Sequence, residues 1–195
     1  MSERELEERV LINKKQFLEI KKYIQENYPD TKVIHQKNRY LDDANSSIRK
    51  LKNVLRIRSF PHNNTRELTY KTRGNNCAIE YTQKLTYYAF IKFIENSIIP
   101  EGEIKTRLLS DGIDINSIKS IVDLRTRRLE VHLEQYTIVL DVNDYNGIID
   151  YDLEIESNFS ESHAKEVILD FCNRFGLEYK NDYPVKSRRA FESIK

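Results

Sequence analysis

The sequence predicts an α+β fold, with antiparallel strands making up much of the chain and a few helices beside them. Three observations carry this. Charges recur at every second residue in Glu5-x-Glu7-x-Arg9, Arg56-x-Arg58 and Asp150-x-Asp152-x-Glu154-x-Glu156. Alternate side chains of a strand point to opposite faces, so each run sets charge on one side and its intervening residues on the other. Asn146-Gly147 lies between two strand-like runs and is a strong two-residue hairpin signal. Apolar residues also recur at helical spacing at Phe17, Ile20, Ile24 and Tyr28, and again at Ala164, Val167, Ile168 and Phe171.

Taken in order, a first strand is expected over residues 3–12, turning at Asn13 into a helix that Pro29 stops. A second strand runs from Val33 to Asp43, followed by a polar loop at residues 45–47. Val54–Phe60 and Glu67–Thr72 form a hairpin about Pro61-His-Asn-Asn64, and a short strand follows near Ile79–Gln83. Residues 86–118 read as helical, with Tyr88, Ile91 and Glu95 in one periodic stretch and Pro100 opening another. Three strands come next, near 119–133, 136–145 and 148–157. Ser160 caps a last helix that Gly176 ends, and Lys186-Ser-Arg-Arg189 reads as a basic tail. With no repeat or low-complexity linker, the expected organisation is a single domain over residues 1–195.

Composition narrows the function classes. Lys and Arg number 32 against 31 Asp and Glu, so a global basic field for nucleic acid is absent. The start, Met-Ser-Glu-Arg-Glu, is too charged for a signal peptide, and no apolar run approaches the length of a membrane span. Cys77 and Cys172 are far apart and fit no zinc spacing, so two reduced thiols are expected. The expected location is the cytoplasm, with neither membrane nor nucleic acid as a partner. Only five glycines are present, which excludes a Gly-rich phosphate loop, and the four histidines are scattered.

The charged strands then hold the chemical information. Glu5/Glu7 and Glu154/Glu156 are carboxylate pairs, each spaced by about 6.5 Å along one strand face. Hard oxygen ligands of this kind suit Mg²⁺ or Mn²⁺, and Asp141 offers another carboxylate. Either pair alone is more often simply a solvated strand face. Arg56 and Arg58 share a face, with Lys71 on the expected partner strand, and these groups suit phosphate oxygens or cross-strand ion pairs. If the sheet is half-exposed, the charges face water. If it closes into a barrel, a charged interior needs pairing, ions or water.

In order, these pieces resemble the CYTH family of triphosphate tunnel metalloenzymes over nearly the whole chain. Glu5-Leu-Glu-Glu-Arg9 stands where that family has E-x-E-x-K, and Asn38-Arg-Tyr-Leu-Asp-Asp43 is similar to its second strand. Leu55-Arg-Ile-Arg58, Leu68-Thr-Tyr-Lys71, Glu80, Thr126-Arg-Arg128, Ile138-Val-Leu-Asp141, Tyr151-Asp-Leu-Glu-Ile-Glu156 and Lys186-Ser-Arg-Arg189 follow in family order. The resemblance is to the bacterial stand-alone branch labelled adenylate-cyclase-like or thiamine-triphosphatase-like.

The resemblance implies an eight-stranded antiparallel tunnel barrel with helices packed outside. It implies Arg9, Arg56, Arg58, Lys71, Arg128 and Lys186 as phosphate ligands, and Glu5, Glu7, Asp141, Glu154 and Glu156 as ligands of Mg²⁺ or Mn²⁺. It places Glu5, Glu7 and Tyr40 among the catalytic residues. The implied activity is hydrolysis of a small triphosphate, either inorganic triphosphate or an organic one such as thiamine triphosphate. Cyclisation of ATP, or nucleotide or polyphosphate binding with little turnover, are the alternatives. Position 9 departs from the pattern, because arginine keeps its proton and is no general base, although it still binds phosphate.

Overall fold

The computed structural model describes residues 2–73 and 78–194, with side chains from residue 6 onward. Its elements in chain order are β1 (Ser2–Glu5), β2 (Glu7–Ile12), α1 (Lys14–Asn27), β3 (Lys32–Asp42), α2 (Ser47–Lys50), β4 (Val54–Phe60), β5 (Thr65–Arg73) and β6 (Ala78–Lys84). There follow α3 (Tyr87–Asn96), α4 (Glu103–Ser110), β7 (Lys119–His132), β8 (Tyr136–Tyr145), β9 (Ile148–Ser157), α5 (Glu161–Phe175) and α6 (Lys186–Glu192). The expected α+β class is observed. The chain forms two compact units, one of Met1–Glu5, Gln36–Leu124 and Ala190–Lys195, the other of Leu6–His35 and Arg125–Arg189.

In the first unit the strand order is β1-β6-β5-β4-β3, and the adjacent strands are antiparallel. Leu41, Leu55, Ile57, Leu68 and Tyr70 are buried on one face with Phe93 of α3 and Ile104 and Leu108 of α4. Complete burial of such side chains contributes roughly 1.5–3 kcal/mol each. α3 turns a different face inward than the spacing of Tyr88, Ile91 and Glu95 suggests. Phe93 is its buried residue, while Tyr88 is 67% exposed. Ser47–Lys50 is helical where a polar loop is expected, with Ile48 buried.

In the second unit the order is β7-β8-β9-β2, again antiparallel. Asn146 and Gly147 both have positive φ, 46° and 78°, and turn β8 directly into β9. That is the backbone a tight hairpin needs. The apolar face of this sheet carries Val10, Ile138, Leu140, Leu153 and Ile155, packed with Phe17, Ile20 and Ile24 of α1 and Ala164, Ile168 and Phe171 of α5. The Asn13 side chain accepts from the Gln16 backbone N–H while the Gln16 side chain accepts from the Asn13 backbone N–H, closing a capping box. Ser160 caps α5, and Gly176 ends it at φ 58°.

The expected first strand is divided at Leu6. Its first part, β1, pairs with β6, and its second part, β2, pairs with β9. The expected basic tail is instead the first part of a helix, α6.

Candidate functional site

Register puts the acidic and basic positions of the second unit on one face. Glu7 pairs with Glu156, Arg9 with Glu154, Asp152 with Asp141, and Asp141 with Arg128. Cross-strand partners project to the same side. The apolar residues between them fill the core behind, so the core fixes which side the charges take.

Glu154 is the centre of this face and is 2% exposed. Its Oε2 lies 2.9 Å from Lys186 Nζ and 3.5 Å from Arg128 Nη2, and its Oε1 lies 3.3 Å from Arg9 Nη1. Burial alone would raise its pKa, but Lys186, Arg9 and Arg128 outweigh that and hold the carboxyl well below its ordinary value. Burial opposes charge on Arg9 and Arg128 too. The surrounding carboxylates overcome it, Glu7 and Glu154 for Arg9 and Asp141 and Glu156 for Arg128, so both guanidiniums stay protonated. Burial pushes Glu156 up to about 7, with Glu7 and Glu154 adding to the rise and Arg128 opposing it.

Carboxylate oxygens of Glu7, Glu154 and Glu156 all lie within 4.8 Å of one another. Glu154 Oε1 is buried and makes no hydrogen bond, since the Arg9 contact lacks bonding geometry. Three convergent carboxylates with an unbonded buried oxygen fit a hard divalent cation. Asp141 is placed otherwise. Arg128 grips both of its oxygens, Lys186 also donates to Oδ2, and among the described residues it is not part of the glutamate group. Glu5 pairs with Ala78 in the β1–β6 ladder, and its side chain lies outside the described residues.

The first unit carries its own charged face. Tyr40 pairs with Arg56, Asn38 with Arg58, Arg56 with Thr69, and Lys71 with Glu80. Arg56 Nη2 lies 3.0 Å from Glu80 Oε2, and Arg58 Nε donates to Asn38 Oδ1 at 3.2 Å. Burial acts to raise the Glu80 pKa, but Arg56, Arg58 and Lys71 outweigh it and hold the carboxyl below its ordinary value. Three cations thus act on one carboxylate, and the β4–β5 register sets Glu67 opposite Arg58. Tyr40 is 2% exposed, with its ring centroid 5.6 Å from that of Phe191.

Thus Glu7, Arg9, Arg128, Asp141, Glu154, Glu156 and Lys186 come together in one unit, and Tyr40, Arg56, Arg58 and Lys71 in the other. Sequence reasoning missed the role of Asp150, Asp152 and Arg189. Arg189 bonds both aspartates, and Asp152 is fully buried. Burial and the nearby Glu154 raise Asp152 to about 6, against the pull of Lys186 and Arg189. The alternating Asp-x-Asp-x-Glu-x-Glu run was the available signal, but it does not say which carboxylate meets which cation.

The CYTH domain family matches residues 3–184. This chain belongs to the CYTH family. The family is metal-dependent, and its members are triphosphatases or cyclase-like proteins. Among solved structures, the chain is similar to a Bacillus halodurans protein described as a candidate adenylate cyclase, at 27% identity and a TM-score of 0.88. That likeness covers 97% of this chain and 98% of the other. A Hippeastrum protein, described as a candidate adenylyl cyclase with a dominant triphosphatase activity, is 19% identical with a TM-score of 0.80, over 100% of this chain and 97% of that one. A conserved protein from Pyrococcus furiosus is 22% identical with a TM-score of 0.61, over 95% and 99%. Comparison with curated proteins gives no match. The likenesses show that the chain has the CYTH fold. No helix among the described residues is long and apolar enough to cross a membrane.

Proposed function

We propose that this CYTH protein is a metal-dependent triphosphatase acting on a small triphosphate, inorganic triphosphate or an organic one such as thiamine triphosphate. The observation that carries the reading is the convergence of Glu7, Glu154 and Glu156 beside the part-buried cations Arg9, Arg128 and Lys186. Carboxylates suit Mg²⁺ or Mn²⁺, and cations suit phosphate oxygens, so one face offers both halves of a metal–phosphate site. The scarcity of cysteine suits a reducing compartment, and we assign the protein to the cytoplasm.

In this reading Glu7, Glu154 and Glu156 hold the metal. When bound, the metal supplies charge neutralisation at phosphate oxygens and an oriented water. Arg9, Arg128 and Lys186 are pre-positioned on carboxylate oxygens and exchange these for phosphate oxygens of similar geometry. Arg56, Arg58 and Lys71 are assigned to phosphate because guanidinium and ammonium groups gathered about Glu80 suit phosphate oxygens. Arg9 stays charged and takes no proton. The proton lost by the attacking water passes to a carboxylate or to the substrate. Catalysis is then mainly positioning and charge stabilisation.

Adenylate cyclase is the second reading, favoured by the description of the Bacillus halodurans relative. It would use the ribose 3′-hydroxyl against the α-phosphorus and release pyrophosphate. The test is phosphate release from inorganic triphosphate, ATP and thiamine triphosphate with Mg²⁺, Mn²⁺ or EDTA, with cyclic AMP measured in the ATP samples. Metal-dependent orthophosphate supports the triphosphatase, and cyclic AMP with pyrophosphate replaces it by the cyclase. Tight triphosphate binding without product makes it a binding protein.

A further inference from the structure

Lys186 and Arg189 stand one turn apart on α6 and both reach the polar face of the second unit. Lys186 Nζ donates to Asp141 on β8 and, at 2.9 Å, to Glu154 on β9. Arg189 donates through Nε to Asp150 Oδ2 at 2.8 Å, and through Nη2 to Asp150 Oδ1 at 3.0 Å and Asp152 Oδ2 at 2.7 Å. Its remaining arm, Nη1, donates to the Pro184 carbonyl at 2.7 Å, just before the helix. The Arg189 side chain is only 8% exposed.

The two cations therefore grip consecutive same-face positions of one strand. Residues three apart on a helix rise about 4.5 Å, and residues two apart on a strand rise about 6.6 Å. The spans are close enough for Arg189 to seat on Asp152 while Lys186 seats on Glu154. The contributions differ in kind. A lysine ammonium sits on a flexible stem, whereas the guanidinium fork is planar and pre-organised for carboxylates.

We propose that Arg189 is the positioning residue for Lys186: its grip on Asp150, Asp152 and the Pro184 carbonyl seats the first turn of α6 on β9 and holds the Lys186 ammonium against Asp141 and Glu154. Arg189 acts through Lys186 and is not itself a catalytic residue. The effect on substrate rests on the proposed phosphate role of Lys186, and the placement of the ammonium does not.

The test has two arms. In the first, Lys186 in the full chain is labelled with an amine-reactive ester and quantified by mass spectrometry, with thiol labelling of buried Cys172 as the control for global opening. Wild-type Lys186 should label slowly, and R189Q should label about tenfold faster while Cys172 stays protected. R189K keeps the charge without the fork and should fall between them. If R189Q also opens Cys172, R189K alone decides the matter by the same comparison. Lys186 labelling at the wild-type rate in the deciding variant overturns the proposal, whether or not the protein hydrolyses anything. In the second arm, R189Q should raise the triphosphate KM about tenfold in the wild-type background and change it little in K186A. Independent, multiplying effects would show that Arg189 does not act through Lys186. Wild-type protein without turnover counts against the triphosphatase reading alone, and the labelling arm still decides this proposal.

Discussion

Arg128 binds Asp141 through two parallel bonds, Nε to Oδ1 and Nη2 to Oδ2, each 3.0 Å long. Asp141 is fully buried, and Lys186 shares its Oδ2. Both of its oxygens thus accept from cations. Asp141→Asn should therefore cost about 3–5 kcal/mol of stability, the usual result of breaking a buried ion pair. Mn²⁺ affinity should change much less than in Glu156→Gln. Urea denaturation and Mn²⁺ titration of both variants check this, and a larger loss of Mn²⁺ binding in Asp141→Asn would return Asp141 to the metal set.

Arg56 lies 3.0 Å from Glu80, and its buried Nε has no hydrogen-bond partner. A guanidinium with an unused buried donor is well placed to take a phosphate oxygen. Arg56→Ala should weaken triphosphate binding by about 1.5–3 kcal/mol, the worth of a hydrogen bond to a charged group. Calorimetric titration with inorganic triphosphate measures this directly. Unchanged affinity would remove Arg56 from the site.

Glu80 gives the pH prediction. Its carboxyl is held below its ordinary value of 4.5 because Arg56, Arg58 and Lys71 outweigh burial. A group whose folded pKa is depressed stabilises the fold above its unfolded pKa and loses that contribution as pH falls through the folded value. Wild-type protein should thus be more stable than Glu80→Gln at neutral pH, and the gap should shrink as pH falls below about 4.5. Urea denaturation in neutral and in acid buffer tests it. A gap of constant size would mean that Glu80 does not titrate against these cations.

Much of the fold was legible because core and charge alternate on the same strands. Leu55 and Ile57 are buried while Arg56 and Arg58 meet Tyr40 and Asn38, as the alternation requires. Asn146-Gly147 and the Ser160 cap appear where turn and cap chemistry put them. α6 was not legible as a helix. It has only seven residues, Lys-Ser-Arg-Arg-Ala-Phe-Glu, and no apolar stripe, so tertiary contacts such as the Arg189 grip on β9 hold it. For α3, one apolar set on a short helix suits two faces, and packing of Phe93 chose between them.

The candidate site was legible as residue types and not as pairings. The Glu7, Glu154 and Glu156 group follows from strand alternation once β2 lies beside β9. Which cation meets Asp141 or Asp152 depends on the register of β8 with its neighbours and on where α6 lands. Neither is written in local sequence, so the sequence alone names Asp141 and Arg189 without saying what each of them meets.

Metal-dependent hydrolysis by the glutamate group is tested by orthophosphate release from inorganic triphosphate by wild-type protein and Glu156→Gln, each with saturating Mn²⁺ and with EDTA. Wild type should release orthophosphate and EDTA should abolish that release, with a loss of at least about a hundredfold in Glu156→Gln while circular dichroism shows the fold retained. Equal turnover by the two proteins, or turnover that survives EDTA, would contradict it.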